Sequence, residues 1–205
     1  MNMMYTIDLL GTMVFAISGT MAANRQRINF VGAGFTGFVT AIGGGSLRDV
    51  FLNLRPVWVD DPNYILVILI GIVLSMIGNK FLNNLARTLT FFDALGIGFF
   101  CIVGVQKSLM YESSGVAAVI LGMFSGVMGG VTRDTLLNEL PLIFRKEIYA
   151  TACLAGSLLF VILQNVGVSN AINAWVSAML IVLIRLIAVR YQLTLPSIDE
   201  KISDN

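Results

Sequence analysis

Two short stretches hold the ionisable chemistry that this chain sets inside its apolar runs: GGGSLRDVFLNLRP at 43–56 and GGVTRDTLLNELP at 129–141. In each, consecutive glycines precede an Arg-Asp pair, Arg48-Asp49 or Arg133-Asp134, and an Asn and a Pro follow at matching offsets. Ionisable residues well inside a membrane span are expensive, and they face a bundle interior or an aqueous path. Gly43, Gly44 and Gly45, and again Gly129 and Gly130, each cost a helix interior about 1 kcal/mol relative to alanine. They therefore predict weak points where the helix breaks. Loosened backbone is tolerated in lipid only where protein buries it or a wet cavity lies beside it, so such breaks would turn carbonyls and amides toward the membrane interior. Ser46 would cap the second half-helix, with Asp49 three residues on; the copy has Val131 instead of Ser46. Adjacent residues do not face one another on a helix. Arg48 is thus expected to pair with Asp134 and Asp49 with Arg133, or each with polar groups near the breaks. Glycines also let helices pack closely, a role compatible with the first.

The elements that must position these groups are membrane helices. Of 205 residues, 57% are hydrophobic and only 12% charged, and the mean hydropathy is +0.84. A soluble domain carries about 25% charged residues. A net charge of +1 argues against a nucleic-acid partner, which needs a basic face. The absence of histidine removes the commonest metal ligand and proton carrier near neutral pH. Cys101 and Cys153 lie in apolar runs and read as small buried hydrophobes. No nucleophile-plus-base constellation and no metal-ligand cluster is visible, so neither an enzyme nor a cofactor or fixed metal is expected.

A crossing helix needs about 20 mainly apolar residues. Uncharged windows fall at Leu9–Asn24, Ile28–Leu47, Pro62–Asn79, Ala94–Gln106 and Ser113–Thr132, the fourth being short unless Phe91 and Phe92 extend it past Asp93, and Ile148–Ile184 is divided by the polar turn Gln164–Asn170. These make seven spans, the first read as retained rather than as a signal peptide because it lacks a basic leading region. With the N-terminus outside, Arg25, Arg27, Lys80, Arg87, Arg145, Lys146, Arg190 and Lys201 fall inside, and only Arg55 and Lys107 outside. The positive-inside rule therefore favours N-out, C-in. Lys107 is expected to snorkel to the outer interface, Asp8 and Asp93 to cap span ends or face a pore mouth, and the acidic tail to fray.

Sliding the chain against itself by 85 residues aligns 20 identities in 68 positions across residues 8–75 without a gap, where composition alone would give roughly 5 or 6. Three spans per copy is an odd number, so the second copy should enter the membrane upside down. The expected fold is an all-α polytopic membrane protein. Its parts are a first three-helix repeat at 4–80, an inverted repeat at 89–166, a seventh helix at 171–190 and a polar tail at 191–205.

The GGGSLRD and GGVTRD pair, the three-span repeat, the seventh helix and RDTLLNELPLIFRKEIYATACLAG resemble bacterial members of the trimeric intracellular cation channel family, which has also carried a glycine-transporter label. The resemblance spans about residues 4–195. It implies a homotrimer in the inner membrane, surrounded by lipid. Each protomer would pass monovalent cations, chiefly K+ and secondarily Na+, through its own pore lined by the second and fifth spans. Gly43, Gly44, Gly45, Gly129 and Gly130 match the family's kinks, with Arg48, Asp49, Arg133 and Asp134 following. Met128 stands where the family often has a third glycine, and is a candidate gate. In this reading carbonyls and the hydroxyls of Ser46 and Thr132 replace part of the hydration shell of K+ in transit. The rival is a secondary transporter of a small amino acid such as glycine, which inverted repeats serve equally well.

Overall fold

A computed structural model describes residues 3–78 and 85–196. Lys80 and Lys201 lie outside them. Eight helices occur among the described residues: α1 Met3–Arg25, α2 Phe30–Phe51, the single turn α3 Val57–Asp60, α4 Pro62–Gly78, α5 Leu85–Met110, α6 Gly115–Leu136, α7 Ala150–Asn165 and α8 Asn170–Arg190. Five of them, α1, α2, α5, α6 and α8, are long and apolar enough to cross a membrane. The protein is an all-helical membrane protein. At about 1.5 Å per residue, the 17 residues of α4 and 16 of α7 fall short of the roughly 30 Å hydrocarbon core.

Burial ranks the helices. Of the most apolar stretch, 78% is buried in α1 and 67% in α5, against 39–44% in α2, α6 and α8. The central pair is therefore α1 and α5. Around them α2 and α4 pack on α1, α6, α7 and α8 pack on α5, and α2 meets α6. The helix α8, outside the sequence repeat, is fitted through small residues: a side chain on Gly98 of α5 would stand 3.1 Å from the Ala178 carbonyl, and one on Gly156 of α7 3.0 Å from that of Ser177.

The sequence repeat reappears as repeated local chemistry. Asn29 accepts a hydrogen bond from the Gly32 amide at the start of α2, and Ser114, 85 residues on, accepts one from the Ala117 amide at the start of α6. Both helices close in the same way. The Leu54 amide donates to the Asp49 carbonyl and the Glu139 amide to the Asp134 carbonyl, each at 2.8 Å, with Asn53 (φ 55°) and Asn138 (φ 53°) left-handed between. That is the Schellman closure, in which asparagine is tolerated where most side chains are strained. The recurring asparagines in the two motifs thus terminate helices.

One open expectation is resolved and two need correction. The fourth span does extend past Asp93: α5 is 26 residues long and carries Asp93 in its interior, 1% exposed. A carboxylate neutralised by a partner on another helix does not interrupt a span, and counting uncharged windows misses this. The glycines do not divide α2 or α6, whose helical hydrogen bonding runs through Gly43–Gly45 and through Gly129–Gly130. The tail does not fray at once: the Leu195 amide donates to the Lys146 carbonyl at 2.7 Å, and Thr194 bridges to Glu147.

Replacing Asn138 by valine puts a β-branched side chain in the left-handed region and should cost about 1–2 kcal/mol, while Asn138→Gly should be neutral. Thermal unfolding in detergent reads the difference, and a valine variant as stable as wild type would contradict this closure.

Candidate functional site: two buried Arg-Asp clusters

Near the end of α2, Asp49 is fully buried and uses both oxygens. Its Oδ1 accepts from Arg48 Nε and from Lys107 Nζ of α5, each at 2.8 Å, and its Oδ2 accepts from the Val57 amide that opens α3 at 3.2 Å. Arg48 is also buried, with a terminal nitrogen 4.0 Å from Asp8 Oδ2 of α1. Tyr64 of α4 donates to that same Asp8 oxygen at 2.9 Å. Two carboxylates thus face one guanidinium and one ammonium group.

The second cluster follows the same plan with different partners. Arg133 Nε donates to Asp134 Oδ1 at 2.8 Å, and Asp134 Oδ2 accepts from the Leu142 amide at 3.2 Å. Arg133 Nη1 donates to Asp93 Oδ1 and to Ser18 Oγ, each at 2.7 Å. Tyr149, the counterpart of Tyr64, does not donate to Asp93; its hydroxyl has no hydrogen-bond partner among the described residues. Instead the Arg185 guanidinium of α8 sits 4.8 Å above its ring, held by the Ile148 carbonyl at 2.7 Å and Glu147 at 3.1 Å.

The expected exchange of partners between motifs does not occur. Each arginine folds back on its own neighbour, because the three-methylene stem spans the angle between adjacent positions and no other group takes up Nε. Arg133 Nη1 then reaches the equivalent aspartate Asp93, whereas Arg48 Nη2 comes only to within 4.0 Å of Asp8 and neither Arg48 terminal nitrogen has a hydrogen-bond partner among the described residues. These aspartates are buried members of the clusters rather than exposed span-end caps. Lys107 does not snorkel away, since Asp49 holds it. Ser46 caps no half-helix; its Oγ accepts from Trp58 Nε1 at 3.0 Å. The Thr132 hydroxyl is spent on the Met128 carbonyl at 2.7 Å, and Met128 is half-buried.

Between the clusters α2 crosses α6 with backbone against backbone. A Cβ on Gly44 would fall on the Ser125 carbonyl, and one on Gly129 would lie 2.7 Å from the Thr40 carbonyl. Gly43 faces Thr132 Oγ1 and the Gly129 Cα. The glycines are therefore crossing points in a continuous helix pair. A cavity of about 430 Å³ leads to the second cluster, lined by the carboxylates of Asp93, Asp134, Glu139 and Glu147 and by Arg25, Arg133, Arg145 and Arg185. A much smaller cavity, about 10 Å³, lies beside Asp8, Arg48, Asp49 and Phe100. The arrangement offers room for small ions at the wide end and little at the narrow one. No group of three or more His, Cys, Asp or Glu arranged to hold a metal occurs among the described residues.

Sequence reasoning passed over Tyr64, Tyr149, Ser18 and Arg185 as cluster members. The tyrosines were within reach, because they align at the 85-residue offset with each other, as Asp8 and Asp93 do.

The chain is a helical membrane protein with paired ion clusters around a glycine crossing. Comparisons with known proteins narrow that class. A family model described as "Glycine transporter" matches twice, over residues 5–80 and 90–165, the same 85-residue offset. A UPF0126 membrane protein of Vibrio cholerae is 39% identical over 198 residues, covering 96% of this chain and 83% of that protein. The UPF0126 inner membrane protein YadS of Escherichia coli is 37% identical, covering 95% and 96%. Among solved structures, the trimeric intracellular cation (TRIC) channel orthologue from Rhodobacter sphaeroides superposes with a TM-score of 0.89 at 30% identity, covering 94% of this chain and 100% of that one. The chain belongs to the TRIC family, in its bacterial branch.

The crossing predicts a graded glycine response. Gly44→Ala should lower thermal stability by about 1–3 kcal/mol through overpacking, while Gly43→Ala, 3.3 Å from a hydroxyl that can shift, should cost clearly less. Unfolding midpoints in detergent test this, and equal losses would contradict the crossing.

Proposed function

We propose that this protein is a monovalent-cation channel of the inner membrane, chiefly for K+, with one pore in each protomer of a homotrimer. The observation that carries the reading is the pair of buried Arg-Asp clusters on either side of the α2–α6 crossing, in a chain whose solved relative is named a cation channel. The seven longer helices all cross, the short α4 and α7 by local thinning of the bilayer, as two three-helix repeats of opposite orientation plus α8, with the N-terminus outside and the C-terminus cytoplasmic. Arg145 and Lys146 on the cytoplasmic side, set against Asp60 and Asp61 at the equivalent outer positions, support that orientation.

In this reading ions enter the wide cavity from the cytoplasmic side. Its four carboxylates and four guanidinium groups keep it wet and formally balanced. Asp93 and Asp134 offer oxygens to a passing cation, and Asp8 and Asp49 do so beyond the crossing. With α2 and α6 unbroken, their carbonyls are engaged in helix hydrogen bonds. Opening would then use Gly43–Gly45 and Gly129–Gly130 as bending points, since glycine loosens a helix, and would free Ser46 and Thr132 to face the path. No resident metal is involved; K+ is cargo. A coupled glycine carrier remains the rival, and the solved TRIC channels weigh against it.

Purified protein in a planar bilayer should give discrete unitary currents whose reversal potential follows the K+ gradient. Stoichiometrically coupled glycine uptake without such currents would overturn the channel reading. Arg133→Ala and Asp134→Asn should alter unitary conductance while the trimer survives. Identical currents from both would reduce the clusters to structural parts.

A further inference from the structure

Phe15 of α1 and Phe100 of α5 occupy equivalent positions in the two repeats, and they touch. Their rings stack with centroids 5.2 Å apart and planes inclined by 22°, and both are almost completely buried. Each ring lies in a notch made by glycine. A Cβ on Gly96 would fall into the Phe15 ring, and one on Gly11 would stand 3.0 Å from Phe100 Cδ2. A Cβ on Gly129 of α6 would stand 3.0 Å from Phe15 Cε2, and one on Gly45 of α2 3.2 Å from Phe100 Cε1.

This aromatic level lies between the two ion clusters. Phe100 shares the narrow cavity with Asp8 and Arg48. Next to Gly129, a Cβ on Gly130 would be 3.6 Å from Asp93 Oδ1, and Asp93 lines the wide cavity. A cation moving from Asp93 to Asp8 therefore meets two stacked rings walled by glycine backbone.

We propose that the Phe15–Phe100 stack is the hydrophobic gate of the permeation path, an inference that rests on the channel reading above. Apolar constrictions close a pore by excluding water, and an ion stripped of water with no replacement ligand faces a prohibitive barrier. Glycine on the flanking helices is what such a gate needs. A small bend of α2 at Gly45 or of α6 at Gly129 withdraws backbone alone, and a ring can swing into the space without displacing another side chain.

Unitary recordings and K+ efflux from proteoliposomes test the gate with Phe15→Ala, Phe100→Ala, Phe15→Leu and Phe100→Leu, each first checked for trimeric elution. The alanine variants should raise open probability and resting efflux about tenfold or more, as expected when an apolar constriction wets; the leucine variants should give a smaller rise. Conducting variants beside a silent wild type would also support the gate. If wild type conducts and assembled variants match it in open probability and efflux, the gate is overturned and the channel stands. If alanine variants do not assemble, leucine variants indistinguishable from wild type overturn it equally. Silence in wild type and every variant would overturn the channel reading itself.

Discussion

Where α2 crosses α6 backbone meets backbone: a Cβ on Gly44 would fall on the Ser125 carbonyl and one on Gly129 would crowd that of Thr40. This contact sets the spacing of everything near it. With side chains at the crossing, the helix pair would stand farther apart, Gly45 and Gly129 would leave the phenylalanine rings, and the final turns of both helices would shift. Arg48, Asp49, Arg133 and Asp134 all sit within those final turns. Close approach in a membrane has to come from small residues and packing, because lipid offers no hydrophobic drive between helices.

The charges exploit that fixed geometry. A guanidinium group buried to 1–2% exposure is tolerable only when carboxylates and hydrogen bonds surround it, and removing one partner of such a pair commonly costs about 3–5 kcal/mol. Each arginine has its sequence neighbour plus an aspartate from α1 or α5. Each neighbouring aspartate also holds the first amide of the next helical turn, so one carboxylate joins a helix end, an ion pair and the following segment. The two clusters differ in their third partner. Lys107 fills that place in the first, whereas Ser18 does so in the second, beside an open cavity.

Much of this was legible in the sequence. The 85-residue repeat, the division at Gln164–Asn170 and the glycine-plus-Arg-Asp motifs follow from composition and alignment, and the helices start and stop close to where they suggest. What failed has one physical source. Local rules treat a helix as alone: they count glycine as a weak point, a charge as the end of a span, and neighbouring side chains as pointing apart. Inside a bundle, glycine is where another backbone lies, Asp93 is neutralised across a helix interface, and Arg48 curls back onto Asp49 through Nε. The third partners, Lys107 and Ser18, were invisible to symmetry, because their counterparts are Ala22 and Val103.

The phenylalanine stack carries a consequence for how such a chain can change. Phe15 touches its own copy, so altering either residue changes the surroundings of both. Lys107 and Ala22 are also copies, yet only Lys107 joins an ion cluster, and one can be replaced while the other stays. A duplicated chain can therefore tell its two ends apart only away from the places where equivalents meet. Directionality in this molecule is written in the unlike partners of its two ion clusters, Lys107 and Ser18.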